Sequence, residues 1–430
     1  MAKTSKDNPA FVTRLPQPST GPRSTHQLAR NTLATMVGNG LRIGIQAAVF
    51  VIVARVLGAQ GYGGFAGVVA LTATAMPYAG WGQGDLLVKQ VARYPGDFSQ
   101  CWGRALLALL VTAGLLIPAV TGFARWLFPP LIPAVLVLYV AVADLLFGGA
   151  VMISAQAFQA VQRMTSAATL LVLLALARLV GAVAMLASLV PPTPLSWGGL
   201  YMGTSAAAAV VAIVWVSRSL GRPRNPDVPS REQVKEGFYF AAGASAYRTH
   251  NDFDKALLTR LSTLESAGIY SAAFRLVEVA FMPVAALLAS SYPRFFQHGA
   301  GGIAASTRYA RRLLPPALAY AVVAGAGIYL LAPVFTMLLG HGYESSAVAA
   351  RWLAVMPLIG TFRFFAGNAL TGSGHQGLRS ALEAVAVAVN VTANLLLIPY
   401  YSWGGAVAAT LISQTLLTCM LWLLMWRKLR

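Results

Sequence analysis

"LSWGGLYMGTSAAAAV" (residues 195–210) and "YSWGGAVAATLISQTL" (residues 401–416) each place Ser-Trp-Gly-Gly just before a long apolar run. The two serines, Ser196 and Ser402, are 402 − 196 = 206 residues apart. A duplicated chain repeats its other landmarks at the same offset, and two more recur here. Arg55, Gly63 and Phe65 fit the pattern Arg-x7-Gly-x-aromatic, as do Arg260, Gly268 and Tyr270, at 260 − 55 = 205. Met76-Pro77 matches Met282-Pro283 at 282 − 76 = 206. Three landmarks in one order at nearly one spacing indicate two homologous halves.

Composition says what those halves are made of. Of 430 residues, 57% are hydrophobic and only 10% are charged, where a soluble chain carries about a quarter charged residues. Apolar runs follow one another with short breaks, which is the pattern of a polytopic membrane protein. Spans are expected near 33–57, 62–85, 104–127, 133–156, 166–190, 197–217, 237–262, 267–292, 313–338, 347–372, 379–400 and 403–426. That makes about twelve helices, each near the roughly 20 residues that cross a bilayer. The two cysteines, Cys101 and Cys419, are too few and too distant for a disulfide framework or a metal motif. The five histidines are scattered.

The net charge of +19 does not indicate a nucleic-acid partner, because its distribution follows the membrane. With a cytoplasmic N-terminus, 22 of the 32 Lys and Arg residues fall on the cytoplasmic side. Only Arg55, Arg125, Arg260 and Arg351 fall near outer ends. This positive-inside bias puts both termini in the cytoplasm and requires an even number of spans. Residues 1–30 read as a disordered basic tail with no signal peptide. The polar stretch "SRSLGRPRNPDVPSREQVKEG" (Ser217–Gly237) separates six spans from six. The expected organisation is therefore a tail (1–30), a six-helix bundle (31–217), a cytoplasmic linker (218–236) and a second six-helix bundle (237–430).

Six spans per half leave both halves in one orientation, as parallel repeats about an axis along the membrane normal. The expected fold is all-α, with two six-helix bundles around a central cavity, and its function is alternating-access transport. Pro77 and Pro283 should bend spans 2 and 8. Such bends serve a gate, or reflect only the ordinary frequency of proline in membrane helices. The Ser-Trp-Gly-Gly copies should sit at the outer face, with glycines in a tight turn and tryptophans at the lipid–water interface.

Ten ionisable residues fall inside spans: Arg42, Asp144, Arg178, Arg248, Asp252, Asp254, Lys255, Arg275, Glu278 and Arg363. Each costs roughly 2.5–3.5 kcal/mol at a helix centre unless it faces a cavity or a partner. Six cations against four anions suit an anionic ligand. Arginine's planar fork binds phosphate oxygens in bidentate fashion and stays charged. Arg42, which has no acidic neighbour in sequence, Arg248 and Arg275 are the first candidates for a phosphate site, followed by Arg363 and Arg178. Ion pairing is the alternative for Arg248 with Asp252, four apart, and for Arg275 with Glu278, three apart. Asp252, Asp254 and Glu278 are candidates for coupling to Na⁺ or H⁺. Neutralisation of the two aspartates by Lys255 and Arg248 is the competing reading. His250 beside them reads as a titratable group or as a polar cavity residue.

Three stretches carry a family resemblance: "ARVLGAQGYGGFAGVVAL" (54–71), "DKALLTRLSTLESAGIYSAAFRL" (254–276) and "NVTANLLLIPYYSWGGAVAATLIS" (390–413). They resemble the span 1–2, 7–8 and 11–12 junctions of Wzx-type bacterial oligosaccharide-lipid flippases. These form the polysaccharide-transporter branch of the multidrug/oligosaccharidyl-lipid/polysaccharide exporter superfamily. The resemblance implies a multi-pass protein of the bacterial plasma (inner) membrane that is not an enzyme. It implies flipping of an undecaprenyl-pyrophosphate-linked oligosaccharide to the outer face for O-antigen, exopolysaccharide or similar glycans. Arg42, Arg275, Asp254 and Lys255 fit the family pattern of basic cavity residues and cation coupling. The implied partners are the lipid-linked glycan, membrane lipids and a glycan polymerase, with the chain acting as a monomer. The implied cofactors are none beyond a Na⁺ or H⁺ coupling ion. A lipid II flippase, which usually carries two more helices, and a multidrug exporter of the same fold are the alternatives. A membrane glycan polymerase needs long outer loops, and those expected here are short.

Overall fold

The computed structural model describes residues 25–224, 229–340 and 342–429. Every regular element among them is helical. In chain order these are α1 (Thr25–Ala75), α2 (Gln83–Arg93), α3 (Phe98–Leu127), α4 (Ala134–Ala141), α5 (Gly149–Ala160), α6 (Met164–Leu186) and α7 (Pro194–Ser219). They continue as α8 (Arg231–Leu261), α9 (Leu264–Gly299), α10 (Ile303–Leu339), α11 (Glu344–Leu353), α12 (Met356–Gly372), α13 (Gln376–Tyr401) and α14 (Trp403–Leu429). A π-helical turn, Val142–Gly148, joins α4 to α5.

Ten segments among the described residues are long and apolar enough to cross a membrane. The first, Val37–Arg93, is 57 residues long and contains two spans. They are separated at Gly58, whose φ of 67° and ψ of 175° break the helical path inside α1. Only glycine adopts that conformation without strain. The segment missing from the ten is α8, which carries Arg248, Asp252, Asp254 and Lys255 in its second half. Counting the first segment as two spans and adding α8 gives the twelve expected from sequence.

The first helix starts at Thr25, inside the stretch expected to be a disordered tail. Lys3, Lys6, Arg14 and Arg23 lie outside the described residues. The expected linker is helical at both ends, since α7 runs to Ser219 and α8 begins at Arg231. Span 2 does more than bend at Pro77. It stops at Ala75, passes through a 3₁₀ turn over Met76–Tyr78, and resumes as α2 at Gln83. Its repeat partner, α9, continues as helix through Pro283.

The chain divides into two compact units whose bounds differ from the two sequence halves. The first comprises 1–50, 72–125 and 133–245; the second comprises 51–71, 126–132 and 246–430. The first unit's core joins Phe98, Trp102 and Leu109 of α3 to Phe158 of α5, with Ala155, Ala157, Ala208 and Ala212 filling the narrow crossings. Small residues allow helix axes to approach closely where lipid supplies no hydrophobic drive. The second unit has two cores, one around Tyr270, Leu353 and Ile398 and one around Phe295, Phe365 and Leu370.

The two Ser-Trp-Gly-Gly copies are not equivalent. Ser196 N–H donates to the capping Thr193 hydroxyl at 3.1 Å, and Trp197 is buried in the first unit at 1% exposure. The expected interfacial anchor is therefore a core residue, seated against Tyr201 with ring centroids 5.9 Å apart. Ser402 instead occupies the left-handed region, at φ 55°, between α13 and α14. Its hydroxyl sits 2.7 Å from those of both Ser262 and Ser266. The second copy thus ties the α13–α14 turn to the α8–α9 junction.

Candidate functional site

In the second unit, Tyr247, Arg248, Asn251, Asp252 and Lys255 recur at three- and four-residue steps on α8, so they form one stripe of the helix. Tyr247, Arg248, Asn251 and Asp252 line a cavity of about 450 Å³. The α12 and α13 helices supply its other cations, Arg363 and Arg379. Three arginines thus meet two carboxylates, Asp252 and Glu278, in its wall. Amides from Asn251, Asn368 and Gln414 add neutral donors and acceptors, and Phe274, Phe281 and Phe364 add aromatic surface.

Ion pairing takes up part of this charge. Lys255 Nζ lies 2.6 Å from Asp252 Oδ1, donates to the Asn251 carbonyl at 3.2 Å and stands 4.5 Å over the Phe274 ring. Arg248 is 3.9 Å from the other oxygen of Asp252, and its side chain is 51% exposed. Both cations therefore address Asp252, rather than one aspartate each. Asp254 points elsewhere. It is buried and accepts from the Tyr270 hydroxyl and from Thr410 Oγ1 at 3.3 Å. Arg275 pairs with Glu278 at 2.7 Å, as their spacing allowed.

Arg363 is different. Its guanidinium stacks 4.3 Å over the Phe364 ring, and its buried Nε has no hydrogen-bond partner among the described residues. Arg379 donates to Thr371 Oγ1 at 2.8 Å and to Glu383 Oε1 at 2.9 Å. In the sequence Arg379 counts only among the cytoplasmic-side cations, at the start of the expected span 379–400. Its signal was the Glu383 four residues on, the mark of a helical ion pair. Asn368 and Gln414 gave no signal, since isolated amides in apolar helices are common.

The remaining candidates belong to the first unit. Arg42 is half-buried on α1. Arg178 on α6 is committed to Asp144: its Nη2 lies 3.1 Å from Asp144 Oδ1. Its Nε donates to Ser205 Oγ at 3.2 Å, and its guanidinium covers the Tyr201 ring at 3.9 Å. Asp144 also accepts from Tyr201 at 2.7 Å and from Thr72 at 2.8 Å. Asp144 thus takes three donors from within the first unit, at a π-helical turn. Among the described residues, no group of three His, Cys, Asp or Glu side chains could hold a metal ion.

A family model described as polysaccharide biosynthesis protein matches residues 28–298, well over half of the chain. The chain belongs to that family. No curated protein matches it. Solved structures similar to this chain share its fold over most of their length. The inward-facing conformation of a multidrug resistance MATE family transporter of the MOP superfamily has a TM-score of 0.72 at 13% identity, covering 91% of this chain and 97% of that one. A MATE structure in complex with MaD3S has a TM-score of 0.64 at 15% identity, with coverages of 93% and 95%. A MOP superfamily transporter from Pyrococcus furiosus has a TM-score of 0.59 at 13% identity, with coverages of 94% and 96%. The fold is therefore that of the MOP superfamily transporters.

Proposed function

We propose that this protein flips an undecaprenyl-pyrophosphate-linked oligosaccharide from the cytoplasmic to the outer face of the plasma membrane, for cell-surface polysaccharide assembly. The observation that carries this reading is Arg363, whose Nε is uncommitted in a cavity that also holds Arg248 and Arg379. A pyrophosphate supplies the acceptor oxygens that Arg363 lacks. The volume of about 450 Å³ falls within the ordinary range of ligand sites. Aromatic and amide groups in the wall suit a sugar next to the phosphates.

Arg363→Ala should lower polysaccharide export about tenfold or more at unchanged protein abundance, the loss expected for a hydrogen bond to a charged group. Arg363→Lys should restore only part of it, because an ammonium keeps the charge and loses the fork. Wild-type export in Arg363→Ala cells would refute the assignment. A multidrug exporter of this fold predicts the opposite pattern, drug sensitivity in the deletion strain with normal export.

Asp254 is the coupling carboxylate in this scheme, because it is held by neutral hydroxyls while Lys255 and Arg248 address Asp252. In proteoliposomes under an imposed Na⁺ or proton gradient, Asp254→Asn should reduce flipping to the gradient-free level. Gradient-driven flipping by that variant would remove Asp254 from the coupling step.

A further inference from the structure

His250 on α8 has neither of the roles assigned so far. It is 6% exposed, and both of its ring nitrogens are buried without a hydrogen-bond partner among the described residues. A buried polar group left unmatched is costly, and each one in a native fold calls for a physical reason. The ring faces an alcove of about 30 Å³, room for one or two water molecules. That alcove lies within the second unit and shares Tyr247, Arg363, Phe364 and Arg379 with the larger cavity. The imidazole and the uncommitted arginine therefore border one small space.

The charges around this space decide what the imidazole can do. Helix α12 contributes Arg363. Helix α13 contributes Arg379 and Glu383, which pair with each other at 2.9 Å. Helix α14 contributes apolar Leu417 and Leu421, with Gln414 near the ring but outside hydrogen-bond geometry. On α8 itself Tyr247 adds a hydroxyl, Asp252 is held by Lys255 and Arg248, and Asp254 is held by Tyr270 and Thr410. No unpaired carboxylate among the described residues faces the alcove to accept from an imidazolium, and Arg363 repels one. A pyrophosphate reverses that balance. As a diester it carries two negative charges. Of the three arginines around it, Arg248 and Arg379 already answer carboxylates, so Arg363 matches one charge and leaves the other. A proton on His250 is placed to match it.

We propose that His250 takes up a proton when a pyrophosphate occupies the cavity, so that ligand binding and proton binding are linked at this residue. This linkage rests on the flippase reading and is separate from the gradient coupling placed on Asp254. Histidine suits it because its charge changes between about pH 5 and 8. The test uses the full-length protein in nanodiscs and undecaprenyl pyrophosphate bearing one N-acetylglucosamine, a diester with no proton of its own to gain or lose near neutral pH. Titration calorimetry in buffers of different protonation enthalpy counts the protons taken up per bound ligand. Wild type should take up a sizeable fraction of one proton within about pH 5–8. Because binding takes up protons, its affinity should fall as pH rises through that window, by about tenfold in all. His250→Gln keeps a polar side chain that does not titrate. It should take up none, hold a flat affinity across the window and match wild type at the alkaline end. Should that variant not fold, NMR of wild type labelled at its histidine nitrogens reads the same event: one of the five histidines should pass from neutral ring to imidazolium when the probe is added. Uptake that persists in His250→Gln, or no histidine changing charge, overturns the linkage. Binding weakened by one factor at every pH, with a lowered thermal midpoint, overturns it in favour of a structural histidine. Failure of wild type to bind the probe at any pH refutes the flippase reading, and the linkage falls with it.

Discussion

Gly63→Ala is expected to leave little folded protein in the membrane. A Cβ at Gly63 would lie 1.8 Å from the Leu264 carbonyl oxygen and 2.5 Å from the Gly268 nitrogen. Neither atom can turn aside, because both belong to helix backbone. Gly268 meets the same constraint in return: its Cβ would lie 2.0 Å from the Ala59 oxygen. Residues 59 and 264 differ by 205, as do 63 and 268, so the contact is its own image under the sequence repeat. The start of span 2 and the start of span 8 cross glycine to backbone, each filling the other's gap. One added methyl group separates the crossing and loosens its mate together. The cost should exceed about 3 kcal/mol, beyond the usual range for overpacking. Thermal unfolding of detergent-purified protein measures it, with Gly64→Ala as control. A Cβ at Gly64 meets only side-chain carbons, at 3.7 Å or more, and should be nearly silent. Equal stability of the two variants would show that the crossing is not under this constraint.

Asp144→Ala is expected to destabilise the first unit by about 3–5 kcal/mol, the cost of stripping the partner from a buried charge. Arg178 would keep only Ser205 and the Tyr201 face, while Thr72 and Tyr201 would each lose one hydrogen bond. The Asp144 and Arg178 side chains are 12% and 18% exposed, so little solvent reaches either to compensate. The double replacement Asp144→Ala with Arg178→Ala should be less damaging than the sum of the singles, because it leaves no stranded charge. Additive effects in that cycle would mean that the pair contributes no coupling. The same network already answers the charge of Arg178, whereas Arg363 Nε has no hydrogen-bond partner among the described residues.

Local patterns carried most of the architecture. Spans are legible because a bilayer demands about twenty apolar residues in a row. The repeat was legible from three landmarks, and one of them, the Arg-x7-Gly-x-aromatic pattern, marks the Gly63–Gly268 crossing. Other features needed the folded chain. The helix break falls at Gly58, in the expected gap between spans 33–57 and 62–85, but the folded chain was needed to single out that glycine from its neighbours. Trp197 was expected at the lipid interface and is instead in the core, since a tryptophan beside glycines reads alike in both places. Spacing allowed the Arg248–Asp252 and Arg275–Glu278 pairs, and both form. Spacing could not show that Lys255 also takes Asp252 while Asp254 turns to Tyr270 and Thr410.

By itself, then, the sequence determined that this is a duplicated, all-helical membrane protein of about twelve spans, with arginines and carboxylates placed in its helices. Those properties depend on run lengths and on neighbours within a few turns. Only the tertiary structure decided which charges answer one another and which do not. Asp144 draws its donors from residues 34 to 72 positions away, and Asp254 takes one from Thr410, 156 positions on. Arg363 lines its cavity with Arg248 because α8 and α12 both face it. Such partnerships arise where helices cross, and the crossing points are set by small residues and backbone contacts spread along the whole chain.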